Sequence, residues 1–172
     1  MKITTLEGLL AEELKDIYSA EHQMIEALPK MVEAAQSADL RHVFETHLGQ
    51  TQEHASRLEN ICTQLDIKPK GKKCRAMEGL IAEGKEAIDG DYEPALRDVA
   101  LIGAAQRVEH YEMAAYGTAR AHARQLGLMS IANLLDQTLD EEKKADQLLT
   151  GLAENRVNVQ AAMSEVTGTS GR

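Results

Sequence analysis

Apolar side chains recur every third or fourth position through four long stretches of this chain, residues 5–36, 39–66, 92–124 and 128–155. That period belongs to a helix, not a strand. A chain patterned this way must bury four stripes against one another. The available core material agrees. There is no Trp and one Phe, so Leu, Ile, Val, Met and Ala must fill the interior, and such cores suit packed helices better than sheets.

The breaks between the stretches set the connectivity. Only Ser37 and Ala38 separate the first two, which predicts an antiparallel hairpin. Thr4 or Thr5 can cap the first helix, with Glu7 in its first turn, and Asp39 reads as the N-cap of the second. A long connection follows over residues 67–91. Lys68-Pro69-Lys70-Gly71 interrupts it, a short helix is expected over residues 74–88, and Asp89-Gly90-Asp91 ends it. Pro94 suits the first turn of the next helix, where its missing N–H has no partner to lose. Gln125-Leu126-Gly127 is a short turn with Gly127 as a left-handed cap.

Hairpin, long crossover, hairpin is the order of a ferritin-like four-helix bundle, so the expected fold is all-α of that kind. One domain is expected over residues 1–160, with a flexible tail over 161–172. Glu21 to Leu48 and Glu112 to Leu139 are equal separations, which aligns the two hairpins.

Charge excludes some functions. The formal net charge is −9, and an acidic surface repels phosphate backbones, so no nucleic-acid partner is expected. Lys68, Lys70, Lys72, Lys73 and Arg75 form one basic cluster, read as a solvated loop. Cys62 and Cys74 lack the paired spacing of a zinc site, and Cys62 falls on an apolar stripe. No apolar run approaches the ~20 residues of a membrane span, and the N-terminus meets a charge too early for a signal peptide. No membrane partner and a cytoplasmic location are expected.

The acids are the unusual feature. At about 100° per residue, Glu21 falls on the first stripe, between Ile17 and Met24. Glu112 falls on the third, with Glu109 on its flank. Glu142 and Asp146 fall on the fourth, and Glu141 points about a quarter turn away. His47, Thr51 and His54 lie on the second stripe, Gln50 is marginal, and Glu53 points outward. A carboxylate on a buried stripe is costly unless paired, hydrogen-bonded or bound to metal. One could be a boundary residue, but three helices each place one near mid-stripe. Carboxylates and imidazoles without thiolates suit iron or manganese, with zinc as a further option. The expected ligands are Glu21, Gln50, His54, Glu109, Glu112, Glu142 and Asp146, around two metal ions. His47, two turns from His54, is read as a hydrogen-bonded core histidine. Tyr18, Tyr111 and Tyr116 lie near these levels, as boundary residues or as partners of the buried acids.

Several segments resemble the YciF/YciE-type ferritin-like proteins of bacteria: Asp16-Ile17-Tyr18-Ser19-Ala20-Glu21, Cys74-Arg75-Ala76-Met77-Glu78-Gly79-Leu80-Ile81, Val108-Glu109-His110-Tyr111-Glu112, and Leu139-Asp140-Glu141-Glu142-Lys143 with Asp146. The resemblance runs over residues 3–160. It implies a ferritin-like homodimer associated with stress. The wider superfamily includes rubrerythrin-like di-iron proteins, with a Glu on helices one and three and Glu-x-x-His on helices two and four. Glu21 and Glu112 match. Gln50/Glu53 and Glu141/Lys144 stand where the Glu-x-x-His pairs would be, so both pairs are absent. The expected function is a metal-binding stress protein, with iron oxidation or peroxide chemistry as its reaction class. The alternative is a non-enzymatic homodimer whose buried polar network holds no metal. Whether any reaction is catalysed is left open by the sequence.

Overall fold

The computed structural model describes residues 2–168. Helix α1 spans Leu6–Ala34, α2 Ala38–Gln64, α3 Arg75–Asp89, α4 Pro94–Gln125 and α5 Met129–Leu152; a π-helical turn, Ala153–Val157, leads into α6, Asn158–Gly168. There is no strand among the described residues. The hairpins α1–α2 and α4–α5 pack side by side, α1 against α4 and α2 against α5, while α3 lies across α1 and α4.

Local chemistry sets most helix ends. Thr5 caps α1, its hydroxyl accepting from the Gly8 N–H at 3.1 Å. Ser37, not Asp39, caps α2, and Asp39 instead sits in the first turn. Cys74 caps α3 through its sulfur. Pro94 occupies the first turn of α4. Gly127 has φ +73, a conformation that costs a glycine least.

The α1–α2 turn depends on a residue far along the chain. Asp98, on α4, is 4% exposed. Its two carboxylate oxygens accept from the Gln36 and Ser37 N–H groups at 2.8 and 2.7 Å. Backbone donors at a helix start lack intrahelical partners, and a carboxylate there also suits the helix dipole.

The chain beyond residue 152 is helical rather than loose. Leu149, Ala153, Val157 and Ala161 are all buried at steps of four. On an α-helix each such step drifts by about 40°. The wider i→i+5 winding of the π turn takes up that drift and keeps the stripe on the bundle. Of the tail expected over 161–172, residues 161–168 belong to α6, and residues 169–172 lie outside the described residues.

The apolar core falls into two clusters. One holds Met24, Leu28, Met31, Phe44, Leu101 and Leu149. The other holds Leu14, Ile17, Leu58, Ile61, Leu135 and Leu139. On each bundle helix the change from one cluster to the other falls at the acids and histidines, which form a polar layer between two greasy ones.

Asp98→Ala strips charged partners from two backbone donors at the α1–α2 turn. It should cost about 1.5–3 kcal/mol. In a chain of this size that is a fall of about 3–12 °C in Tm, measurable by circular dichroism, with Asp98→Asn recovering part of it.

Candidate metal centre

Each helix brings its polar residue inward because its neighbours on the stripe are buried. Glu21 follows Ile17 and Ala20 on α1, and Glu142 follows Leu135 and Leu139 on α5. Glu109 and Glu112 are one turn apart on α4, and His47 and His54 are two turns apart on α2. All six are at most 5% exposed.

They form two adjoining groups. His47, Glu109, Glu112 and Glu142 each offer a ligand atom, all within 4.8 Å of one another; Glu21, His54 and Glu142 do the same. Glu142 belongs to both and stands between them. His54 Nδ1 lies 2.9 Å from Glu142 Oε1 and 3.7 Å from Glu21 Oε1, and His47 Nε2 lies 3.3 Å from Glu109 Oε1.

The supports around these groups are specific. The Tyr116 hydroxyl donates to Glu21. His54 Nε2 lies 2.9 Å from Glu141 Oε2, and Glu141 accepts in turn from Arg57 Nη1 at 2.8 Å and Gln137 Nε2 at 3.1 Å. With the Nε2 proton directed at Glu141, the Nδ1 lone pair faces the centre. A carboxylate behind a histidine is how metal-binding imidazoles are commonly oriented.

Burial dominates the electrostatics. It pushes the Glu21 carboxyl up to about 8, with His54 opposing and Glu142 adding to the rise. Burial and then the Glu142 charge hold Glu109 and Glu112 well above the usual carboxylate range. Burial lowers His47. Burial acts the same way on His54, but the adjoining Glu142, Glu21 and Glu141 outweigh it and raise the imidazole.

The donors fit a cation. Among the described residues, six buried side-chain N and O atoms of Glu21, His54, Glu109, Glu112 and Glu142 lack a hydrogen-bond partner. Buried polar groups are rarely left this way. Two lone pairs 2.9 Å apart, as between His54 and Glu142, require a proton or a cation between them.

Of the residues expected from sequence, the structure brings Glu21, His54, Glu109, Glu112 and Glu142 together. Gln50 is half-buried and hydrogen-bonds His47, beside the groups rather than across from them. Asp146 stands outside both groups. It is half-buried at the edge, accepting from Gln106 at 3.1 Å and lying 3.5 Å from His110. His47 is the member that sequence reasoning set aside; its signal was the two-turn spacing to His54 on one stripe. Tyr111 serves elsewhere, bonding Asp16 at 2.8 Å and the Cys74 sulfur at 2.9 Å, and Tyr18 bonds Glu59 at 2.7 Å.

A family model described as a domain of unknown function, DUF892, matches residues 5–162. The chain belongs to this family. Protein YciF of Escherichia coli (strain K12) is 44% identical over 162 residues, covering 94% of this chain and 98% of that protein. The crystal structure of the E. coli stress protein YciF matches with a TM-score of 0.88 over 91% of this chain and 99% of that one. YcfI from Rhodopseudomonas palustris matches at 42% identity and a TM-score of 0.84, covering 87% and 95%. A two-domain Anabaena variabilis protein with DJ-1/ThiJ/PfpI-like and ferritin-like domains matches at 20% identity and a TM-score of 0.58, over 90% of this chain and 38% of that one. That last likeness concerns the fold alone. This DUF892 chain is a ferritin-like four-helix bundle and a homologue of the stress protein YciF. No helix of its described residues is long and apolar enough to cross a membrane.

The raised groups give the metal-free protein a definite pH response. Between pH 4.5 and about 8 the folded state holds a proton on Glu21 that the unfolded chain has released. Glu109, Glu112 and His54 act in the same sense, and His47 in the opposite one. Stability rises with pH only where the unfolded state binds more protons, so here it falls. The Tm of chelator-treated protein should drop between pH 5 and 8, followed by calorimetry; a Tm that climbs steadily over that window contradicts the assignment.

Proposed function

We propose that this DUF892 protein binds two divalent metal ions in its polar layer, iron first, with manganese or zinc as alternatives, and acts as a ferritin-like stress protein. The reaction class proposed is Fe(II) oxidation or peroxide consumption. The observation that carries the reading is the convergence of four buried carboxyls and two buried imidazoles into two adjoining groups, the ligand atoms of each within 4.8 Å of one another.

One ion would be held by Glu21, His54 and Glu142, the other by His47, Glu109, Glu112 and Glu142. Oxygen and imidazole donors without thiolate match the hard-to-borderline ions named. A bound redox metal supplies electron transfer or Lewis acidity. The protein's own contributions are positional. Glu141 and Arg57 fix the orientation of His54, Tyr116 holds one oxygen of Glu21, and the two aliphatic clusters keep water away. The relative YciF is described as a stress protein, and the proposal extends that setting to this chain.

Protein purified without chelator should carry Fe, Mn or Zn at up to two ions per chain by elemental analysis. Metal-free protein that also fails to take up added Fe(II) sinks the reading and leaves a polar network with no metal. Glu112→Gln separates the two further. It removes a repelling acid from a crowded site, so the chelated variant should be more stable by about 1–2 kcal/mol, a rise of about 2–8 °C in Tm, while metal content falls.

We also propose a homodimer. Leu148, Val159 and Met163 are large apolar side chains exposed at 61%, 42% and 65% on α5 and α6, and Val159 and Met163 are one turn apart. Sedimentation velocity at micromolar concentration should give twice the 18.9 kDa chain mass; a monomer at that concentration rejects it.

A further inference from the structure

Two adjoining cavities lead from the outer face of the bundle to the buried acids. The outer one, about 110 Å³, lies among α1, α3 and α4. Met24, Met31, Leu80, Ile81, Ile88 and Val108 give it an apolar wall, and its charged lining residues, Lys30, Lys85 and Asp89, are all exposed. The inner one is about 10 Å³, room for roughly one water-sized molecule. Leu28, Phe44, Ala105 and Leu149 line it, together with His47 and Glu109.

Met24 and Met31 line both cavities, so they form the wall between them. Methionine is unbranched and adapts by rotamer change. Such a wall opens without moving a helix. The inner cavity ends on His47, which is 5% exposed and whose Nε2 lies 3.3 Å from Glu109 Oε1.

We propose that the paired cavities are an entry path for a small uncharged molecule of dioxygen's size, admitted past Met24 and Met31 to the His47–Glu109 side of the centre. The path rests on the metal-centre reading, which gives it a reactive destination. Size and charge select the occupant. An apolar wall offers an ion nothing in exchange for its hydration. The water-sized inner chamber excludes anything of more than a few atoms. Apolar protein cavities of about the outer volume take up xenon or benzene.

Dissolved oxygen is the probe, because it is paramagnetic and speeds the relaxation of nuclei it touches. The full chain, metal-free and with ¹³C-labelled methionine methyls, is compared under nitrogen and under oxygen pressure. Met24 and Met31 should relax several-fold faster under oxygen than Met77, which is fully buried but lines neither cavity. Gly84→Leu should abolish the difference. Gly84 lines the outer cavity, and a Cβ there meets only the Ala104 methyl, at 3.9 Å. Ala27→Leu, on the opposite wall, serves if that variant does not fold. Equal enhancement at Met77, or enhancement at Met24 and Met31 that survives both plugs, overturns the path. Because the measurement needs no metal, it fails separately from the metal assignment. Protein that binds iron but shows no selective relaxation rejects the path alone, and selective relaxation in protein that never binds metal rejects the centre alone.

Discussion

Four carboxyls and two imidazoles share one layer of this bundle, and folding withdraws all of them from water together. Each acid raises the cost of charging the next, which is why burial and the Glu142 charge hold Glu109 and Glu112 well above the usual carboxylate range. Helix propensity is worth tenths of a kcal/mol per residue and cannot offset such a layer. The aliphatic clusters on either side can. A fully buried Leu or Ile contributes about 1.5–3 kcal/mol, and Leu14, Ile17, Leu58 and Ile61 on one side face Leu28, Phe44, Leu101 and Leu149 on the other. The two greasy layers hold the polar one in register, and they keep out the water that would otherwise satisfy it.

That arrangement makes the helix ends matter more than usual. A bundle whose middle resists burial must be tied at its turns. Asp98 does this for α1–α2 from across the bundle. Cys74 does it for the crossover: its N–H donates to Ser19 at 3.0 Å, its carbonyl accepts from Gln23 at 3.0 Å, and its sulfur meets Tyr111. The crossover is therefore pinned to α1 and α4 at the start of α3, which sets α3 over Met24 and Met31.

Much of this was legible in the residues because it depends on period and punctuation. Ser37-Ala38, Pro94 and Gly127 mark turns through local backbone chemistry, and the stripes carry the acids inward by simple rotation. What the residues hid depends on neighbours distant in sequence. Nothing near Ser37 announces that Asp98 will reach the backbone N–H groups of Gln36 and Ser37. Asp146 lies on the same rotation as Glu142, yet Gln106 and His110 draw it to the edge. The π turn after Leu152 is a correction of phase, visible only once the steps of four are seen to stay buried.

His47 stands on a helix from which the Glu-x-x-His pair is absent, yet it fills the layer. A Glu-x-x-His pair places two donors on one helix a turn apart. In this chain α2 instead supplies two imidazoles two turns apart, and α4 supplies the turn-spaced pair, Glu109 and Glu112. The result is still two donor groups sharing one carboxylate, Glu142. What the layer requires is a donor at the right height facing inward, and any helix that meets that condition can supply it. A search by motif therefore misses this His/Glu layer, whereas a search by height and face finds it, since both histidines lie between Phe44 and Leu58 on one buried stripe.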